Sequence, residues 1–556
     1  MKQITLTLLA LISIFQISFA QKKEVPNGWH LLSYEKDSFY GIDLNRAYQF
    51  LKEKNKKSTP VIVAVLDSGV DTTHEDLKNI LWKNTKEIPA NGIDDDKDGY
   101  IDDVYGWNFL GNKNGENIKK TSDEKSRVYY SLKSKYQDKE LDTNKMSFEE
   151  KYLYKSWVRS SKEMKVSSEE QANIAYIEVV LRSLKKHDKI VREEMGKEEY
   201  TAEDLEKFTP TTDAGKRAKM GVLQIFKIFG VEGQTKNTEI IGEVEEYVEG
   251  KKAAFEAAEK EPENFRAEIV KDNYNNIQDK YYGNGDVMAF TPKHGTHVSG
   301  IIAAERNNGI GMDGVADNVQ IMAVRAVPDG DEYDKDIALG IIYAVDHGAK
   351  VINMSFGKGY SPEKKWVDSA IQYAAAHDVL LLHAAGNDSK NIDENENYPN
   401  PFSFYTGKRA ENFITVGASS DPKISGSLTA SFSNYGKNTV DVFAPGDKIY
   451  ATVPTKNQYA NLQGTSMATP VVAGIAALIR SYYPELTAVQ VKAIIEQSAI
   501  VYDETVTTFI PGTKEKTSLK ELCKTGGLVN AFAAVKLADN FKTADKKPAT
   551  PKKKKK

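Results

Sequence analysis

The chain contains one stretch that decides its fold, Val61-Ile62-Val63-Ala64-Val65-Leu66-Asp67. This continuous, largely β-branched run is typical of a strand buried on both faces of a parallel sheet. Similar runs recur further along the chain, at residues 320–324, 351–354, 379–383, 413–416 and 440–443. Helical patterns separate several of them, for example at residues 337–347 and 364–377. The alternation predicts a doubly wound α/β fold, with a mainly parallel sheet and helices on both faces.

Residues 113–280 have a different texture, rich in lysine and glutamate and dense in helical periodicity. Ser147 and Glu150 have the spacing of a capping box, which marks a helix N-terminus. We therefore predict an α-helical insertion here, which divides the α/β domain into residues 59–112 and 281–540.

The two ends of the chain carry their own signals. Lys2 precedes an apolar run at residues 4–19, and small residues around Ala20 suit a signal peptidase, which predicts a signal peptide at residues 1–20. A transmembrane anchor is the alternative, disfavoured because the run is short and Gln16 interrupts it. We expect export to a periplasm or out of the cell. Residues 21–58 would form an N-terminal arm, and residues 541–556 a disordered, lysine-rich tail.

The composition excludes several classes of protein. The 556 residues are 40% hydrophobic and 28% charged, with a net charge of −4. This near-balance gives no electrostatic reason to expect nucleic acid or an anionic membrane as a partner. The single cysteine, Cys523, excludes an internal disulfide framework and a multi-cysteine zinc site.

Two motifs place an acid and a base near the ends of predicted elements. Asp67 ends the first strand, where open α/β sheets place their active sites, although a strand-end aspartate is as often a turn residue. His294 lies in His294-Gly295-Thr296-His297, before a run of small and apolar residues that predicts a buried helix. A histidine there can take and return a proton near neutral pH. A metal site at His294 and His297 is a poor alternative, since the spacing is i, i+3 and no glutamate intervenes.

Two further motifs offer a nucleophile and an oxyanion donor. Ser466 lies in Gly464-Thr465-Ser466-Met467, at the start of another buried helix, where free N–H groups favour a developing oxyanion. A helix N-cap serine is the alternative. Asn387 lies in Ala384-Ala385-Gly386-Asn387-Asp388, just after the predicted strand at residues 379–383, and can donate its amide hydrogen to an oxyanion or serve as a turn asparagine.

Together the four segments resemble the signature segments of the subtilisin-like serine peptidases, over roughly residues 60–112 and 281–540. The Asp, His and Ser motifs occur in the family's order, with serine last. The resemblance implies a secreted serine endopeptidase that acts on proteins or peptides through an acyl-enzyme. Asp67 would orient His294, His294 would be the general base and acid, and Ser466 the nucleophile. Asn387 and the Ser466 N–H would form the oxyanion hole.

The resemblance also implies the substrate-binding residues. Ser355, Phe356 and Gly357 would line the cleft and pair with an extended substrate backbone as an added strand. The primary specificity pocket would be lined by small residues, with room for a sizeable apolar side chain: Ala384, Ala385 and Gly386.

The chemistry would need no cofactor, but two groups of oxygen ligands allow a structural calcium ion. Asp94, Asp96, Asp98 and Asp102 alternate around Gly99, as at the start of a calcium-binding loop. The twelfth position is Tyr105 rather than glutamate, and a solvated acidic turn is an equal alternative. A second candidate comes from the family alone: Asp76 and Asn308 match positions that hold calcium in many subtilases.

Two other functions fit the sequence less well. One is a catalytically silent subtilase fold that acts as a binding or chaperone module, although no catalytic residue is missing here. The other is a processing peptidase for one exported precursor. The insertion lies between Asp67 and His294, so we also hypothesise that it restrains the enzyme.

Overall fold

The computed structural model describes residues 25–541, except 166, 229–235, 456 and 504. The predicted signal peptide and most of the lysine-rich tail lie outside the described residues. None of the described helices is both long enough and apolar enough to cross a membrane.

The main sheet has seven strands, and every neighbouring pair in it is parallel. Its strand order is β2-β3-β1-β4-β5-β6-β7. The seven strands are β1 (Val61–Asp67), β2 (Gly106–Asn108), β3 (Val319–Arg325), β4 (Val351–Met354), β5 (Leu380–Ala384), β6 (Phe413–Ser419) and β7 (Val442–Pro445). An antiparallel hairpin follows, made of β8 (Ile449–Val453) and β9 (Gln458–Leu462). The predicted parallel α/β fold is confirmed.

The helices fall before, between and after the strands. They are α1 (Tyr34–Asp37), α2 (Leu44–Glu53), α3 (Glu124–Tyr136), α4 (Phe148–Glu163), α5 (Ser168–Met195), α6 (Ala202–Lys207), α7 (Asp213–Ile228), α8 (Asn237–Glu259), α9 (Phe265–Ile269), α10 (Lys293–Ala303), α11 (Asp334–Asp346), α12 (Lys364–Ala376), α13 (Pro422–Ser425), α14 (Thr465–Tyr482), α15 (Ala488–Gln497) and α16 (Ala531–Asn540). Short 3₁₀ helices occur at Trp29–Leu31, Thr143–Lys145 and Leu519–Glu521.

Both faces of the sheet are covered, which explains why its strands are apolar throughout. Ala64 and Leu66 belong to a core cluster that also contains residues of α11 and α12. Val63 and Val65 alternate with them along β1, so they face the other side. All four side chains are fully buried. Helix α14 packs along β4, β5, β6 and β7, and α10 packs on β1.

The chain divides into two compact units. Among the described residues, the smaller comprises 25–27, 186–228 and 236–240, and the larger comprises those from 28 to 185 and from 241 to 541. The larger unit therefore includes α3 and α4, which lie inside the predicted insertion. Only the middle of the insertion belongs to the smaller unit, where Asn237 donates to Asp188 over 2.7 Å. The predicted limits of the insertion, 113 and 280, stay predictions.

Candidate active site

Asp67 and His294 are in direct contact at the end of β1. The Nδ1 atom of His294 lies 2.7 Å from Oδ1 of Asp67, and the Asp67 side chain is buried. The Ser68 N–H also donates to Oδ1, over 2.7 Å. Because the carboxylate accepts from Nδ1, the tautomer with the proton on Nδ1 leaves Nε2 able to accept a proton. The ring is 39% exposed, so it can be reached from solvent.

Two glycines explain how a helix start comes so close to a strand end. His294 is the second residue of α10, and Gly295 follows it. A Cβ at position 295 would lie only 2.0 Å from the Gly69 carbonyl oxygen and 3.2 Å from Asp67 Oδ1. Gly69 itself has φ of 106°, a conformation that favours glycine.

Ser466 is the second residue of α14, and Gly464 turns the chain before it with φ of 149°. Its hydroxyl donates to the Ser355 carbonyl over 3.0 Å, and the Ser355 hydroxyl donates back to the Ser466 carbonyl over 2.9 Å. The structure thus brings Ser466 against the segment that the sequence predicts to bind substrate.

The side chain of Asn387 and the backbone N–H of Ser466 both lie next to Gly464. A Cβ at Gly464 would be 3.4 Å from Nδ2 of Asn387 and 3.5 Å from the nitrogen of Ser466. The Asn387 amide has a fixed orientation, because its Oδ1 accepts from the N–H and the hydroxyl of Thr465, over 2.8 and 2.9 Å. Its Nδ2 is thereby turned away from Thr465. Both nitrogens therefore lie near one point beside Gly464.

The segment Ser355–Gly357 directly follows β4. Phe356 is buried, with its ring centroid 6.2 Å from that of His383. A Cβ at Gly357 would lie 3.1 Å from Oδ1 of Asn397, so a larger residue would displace that side chain.

Ala384, Ala385 and Gly386 follow one another at the end of β5. The carbonyl of Ala385 accepts from the amides of Asn397 and Asn434, over 3.1 and 2.9 Å. Neither asparagine belongs to a motif that the sequence singled out, because each acts through the backbone of a distant segment.

His297 does not act with His294. It is fully buried, its Nε2 lies 3.0 Å from the Ala460 carbonyl oxygen, and burial lowers its pKa to about 3. The ring is therefore neutral and joins α10 to the hairpin. Cys523 is also buried, and burial raises the pKa of its thiol, so the thiol is a weak nucleophile.

The acidic loop at residues 94–103 divides into two groups. Asp94 and Asp96 come together with Glu87, with one possible ligand atom from each within 4.8 Å of the others. Asp98 groups instead with Asp103 and His347. Asp102 belongs to neither group and accepts from the N–H groups of Asn91 and Gly92, over 3.1 and 2.9 Å.

The chemistry of the first group fits a calcium ion. The side chain of Asp96 is only 7% exposed, and its buried Oδ1 has no hydrogen-bond partner among the described residues, so this oxygen is available to a cation. At the other candidate position, Asn308 donates to Asp76 over 2.6 Å, and Met312 and Tyr459 also donate to Asp76, each over 3.2 Å.

A parallel sheet whose carboxyl edge carries an Asp–His pair and a serine at a helix start is the arrangement of a serine peptidase. The model of the subtilase family matches residues 58–532. The chain belongs to the subtilase family.

Two relatives found by sequence agree with this membership. The thermophilic serine proteinase of Bacillus sp. (strain AK1) is 42% identical over 217 residues, which cover 39% of this chain and 49% of that protein. Thermitase of Thermoactinomyces vulgaris is 39% identical over 237 residues, 41% of this chain and 77% of that protein. The chain thus spans about half the length of the first relative. A protease of Pseudoalteromonas arctica superposes with a TM-score of 0.34 at 32% identity, over 44% of this chain and 70% of that one.

Proposed function

We propose that this protein is an exported serine endopeptidase that cleaves proteins through an acyl-enzyme. The observation that carries the proposal is the 2.7 Å contact between Asp67 and His294, at the edge of the sheet that also holds Ser466. In this mechanism Ser466 Oγ attacks the carbonyl carbon of the scissile bond. Its proton passes to Nε2 of His294, and Asp67 stabilises the imidazolium that forms.

The oxyanion and the leaving group are then handled by groups already in place. The negative oxygen binds between Nδ2 of Asn387 and the Ser466 N–H, the two donors beside Gly464. His294 returns its proton to the leaving amine as the C–N bond breaks. A water molecule then attacks the ester and gives its proton to His294, which restores Ser466 and releases the acid.

A fluorophosphonate probe tests the nucleophile directly, because it forms a covalent bond with an activated serine. We expect mass spectrometry of the labelled protein to locate the probe on Ser466. The His294→Ala variant should label far more slowly, since its hydroxyl has no base. Labelling of a different residue, or equal labelling in the variant, would contradict the assignment. A folded parent that does not label would favour the silent-fold alternative.

We also propose that a calcium ion binds at Glu87, Asp94 and Asp96, where carboxylate oxygens would be its ligands. The unpartnered Oδ1 of Asp96 supports the site, and Glu87 supplies a carboxylate that lies outside the predicted loop. The ion would stabilise the fold and take no part in peptide hydrolysis. Calcium should raise the melting temperature of the parent and not that of Glu87→Gln. An equal rise in both would exclude Glu87 as a ligand.

The proposal of export rests on Lys2 and the apolar run that follows it to residue 19, with cleavage expected after Ala20. We propose that the mature enzyme acts in a periplasm or outside the cell on protein substrates. A cleaved N-terminus at Gln21 in the exported protein would support this. An intact Met1 in a cytoplasmic fraction would contradict it.

A further inference from the structure

Lys358 is the first residue after the substrate-binding segment Ser355–Gly357, and its side chain is completely buried. Its Nζ lies 2.7 Å from Oε2 of Glu124, 2.8 Å from Oδ1 of Asp334 and 2.8 Å from the Glu332 carbonyl oxygen. The ammonium group donates hydrogen bonds to Glu124 and to the Glu332 carbonyl, and the Asp334 carboxylate forms an ion pair with it. A lysine is almost never fully buried unless it is paired with acceptors, as Lys358 is here.

The acceptors come from separate parts of the larger unit. Glu124 is the first residue of α3, inside the predicted insertion, whereas Asp334 is the first residue of α11. Arg127, one turn into α3, donates to the same Glu124 oxygen over 2.6 Å. The four charged groups of Lys358, Arg127, Glu124 and Asp334 balance in formal charge. Removal of one of these four groups would leave a buried charge unpaired, which lowers the stability of the fold.

The insertion also holds the residues that follow Lys358. From α4, Arg159 donates to the Gly359 carbonyl, and Tyr152 donates to the Ser361 carbonyl over 2.8 Å. The Lys358 backbone exchanges two hydrogen bonds with Tyr398, of 3.0 and 2.9 Å. The chain is therefore fixed from its side chain and its backbone immediately beyond Gly357.

Helix α3 also holds the loop before α11, which carries the Glu332 carbonyl that accepts from Lys358. The Glu124 N–H donates to Oδ2 of Asp331 over 2.7 Å, and Arg127 donates to the carbonyls of Asp331 and Glu332 over 3.0 and 2.9 Å. Just before α3, the Thr121 N–H donates to the Asp329 carbonyl over 2.8 Å. Helix α3 thus bridges the loop before α11 and the segment after β4.

We infer that Lys358 is a positioning residue, through which α3 and α4 hold the edge Ser355–Gly357 in the extended form that pairs with a peptide backbone. This inference rests on the proposed function of that edge. Only substrates that extend several residues before the scissile bond can use such pairing. The enzyme should therefore favour long, extended peptides over single-residue substrates, and the inserted helices should support binding rather than restrain it.

Peptide p-nitroanilides that differ only in length test the inference. In Glu124→Gln the charge shared by Lys358 and Arg127 is lost with little change of shape. We expect kcat/KM for a four-residue substrate to fall about tenfold, mainly through KM, because a misplaced binding edge weakens pairing. A one-residue substrate should change less than twofold. Glu140→Gln, at an exposed loop position after α3, is the control and should match the parent for both.

Two further variants separate positioning from a general loss of structure. Lys358→Arg keeps the charge and should keep more of the activity on the long substrate than Lys358→Met. If Glu124→Gln does not fold, Tyr152→Phe removes one hydrogen bond to the segment and should give the same length dependence at smaller amplitude. Equal losses on short and long substrates, or no loss, would overturn the inference.

Amide hydrogen exchange gives a readout that does not depend on activity. Exchange in residues 355–361 should be about tenfold faster in Glu124→Gln than in the parent, and unchanged in Glu140→Gln, because local opening follows lost contacts. Unchanged exchange in Glu124→Gln would also overturn the inference. Faster exchange in Glu124→Gln, together with a parent that does not react with a fluorophosphonate, would instead mean that the proposed peptidase function is wrong although Lys358 does position residues 355–361.

Discussion

Two clusters of buried polar groups lie beyond the carboxyl ends of the strands, and they differ in how completely they are paired. At Asp67 one carboxylate oxygen, Oδ2, is buried without a partner among the described residues. At Lys358 the ammonium group donates two hydrogen bonds, to Glu124 and to the Glu332 carbonyl, and lies 2.8 Å from a carboxylate oxygen of Asp334. In the proposed mechanism the first cluster supports charge that develops on His294, whereas the second cluster joins separate segments of the chain. Burial alone therefore does not distinguish the proposed catalytic cluster from a structural one.

The largest expected effect comes from removal of the charge at Lys358. Lys358→Met leaves Glu124 and Asp334 short of a partner, and loss of one member of a buried pair costs about 3–5 kcal/mol of stability. Lys216→Met is the matched control, since its 3.1 Å pair with Asp213 is exposed and should be worth less than about 1 kcal/mol. Urea unfolding measures both. Similar losses in the two variants would remove the distinction between buried and exposed pairs.

The next effect should appear in turnover rather than stability. Asn387→Ala removes one of the two proposed oxyanion donors, which lowers kcat by about 10²–10³. KM and the urea midpoint should change little, because the ground-state carbonyl gains little from this donor. Steady-state kinetics on a four-residue substrate checks this. A loss confined to KM would mean that Asn387 binds substrate instead.

A smaller effect concerns the side chain of Glu332, whose backbone carbonyl accepts from Lys358. Burial raises the pKa of Glu332 from 4.5 to about 8, and its Oε1 has no partner among the described residues. Between these two values Glu332 is protonated in the folded protein and ionised in the unfolded chain. Stability should therefore fall as pH rises from about 4.5 to about 8.

Glu332→Gln removes this titration. The difference between the urea unfolding free energies at pH 5 and pH 8 should be smaller in the variant than in the parent. Glu140→Gln should keep the parental difference. An unchanged difference in Glu332→Gln would show that Glu332 is ionised in the folded protein at pH 5 as well.

The smallest effect is expected from the smaller unit. Replacement of residues 186–240 by a short glycine–serine linker should leave hydrolysis of a four-residue substrate within about twofold, because α3 and α4 stay in place. A large rise in activity would support the hypothesis that the insertion restrains the enzyme. A large fall would mean that this unit takes part in substrate binding.

The sequence allowed the sheet and the proposed catalytic residues to be predicted because both are local patterns. Asp67, His294 and Ser466 each lie next to a glycine-rich turn and a buried apolar run. Strand β2 was not predicted, since it has only three residues. The predicted run at 440–443 was displaced by two residues from β7.

The supporting residues could not be predicted because their partners are distant in sequence. Glu124 and Lys358 are 234 residues apart, and each looks like an ordinary surface charge in its own segment. Glu87 lies before the acidic loop, so no spacing rule connects it with Asp94 and Asp96. The amides of Asn397 and Asn434 contact the specificity-pocket segment through backbone groups, such as the carbonyl of Ala385, and backbone groups leave no side-chain pattern in the sequence.

The most direct test of the central claim is casein hydrolysis by the purified mature chain, beside its Ser466→Ala variant and a parent sample treated with a sulfonyl fluoride. We predict hydrolysis by the parent, and its loss in both the variant and the treated sample. Hydrolysis that persists in the Ser466→Ala variant would contradict the assignment of Ser466 as the nucleophile.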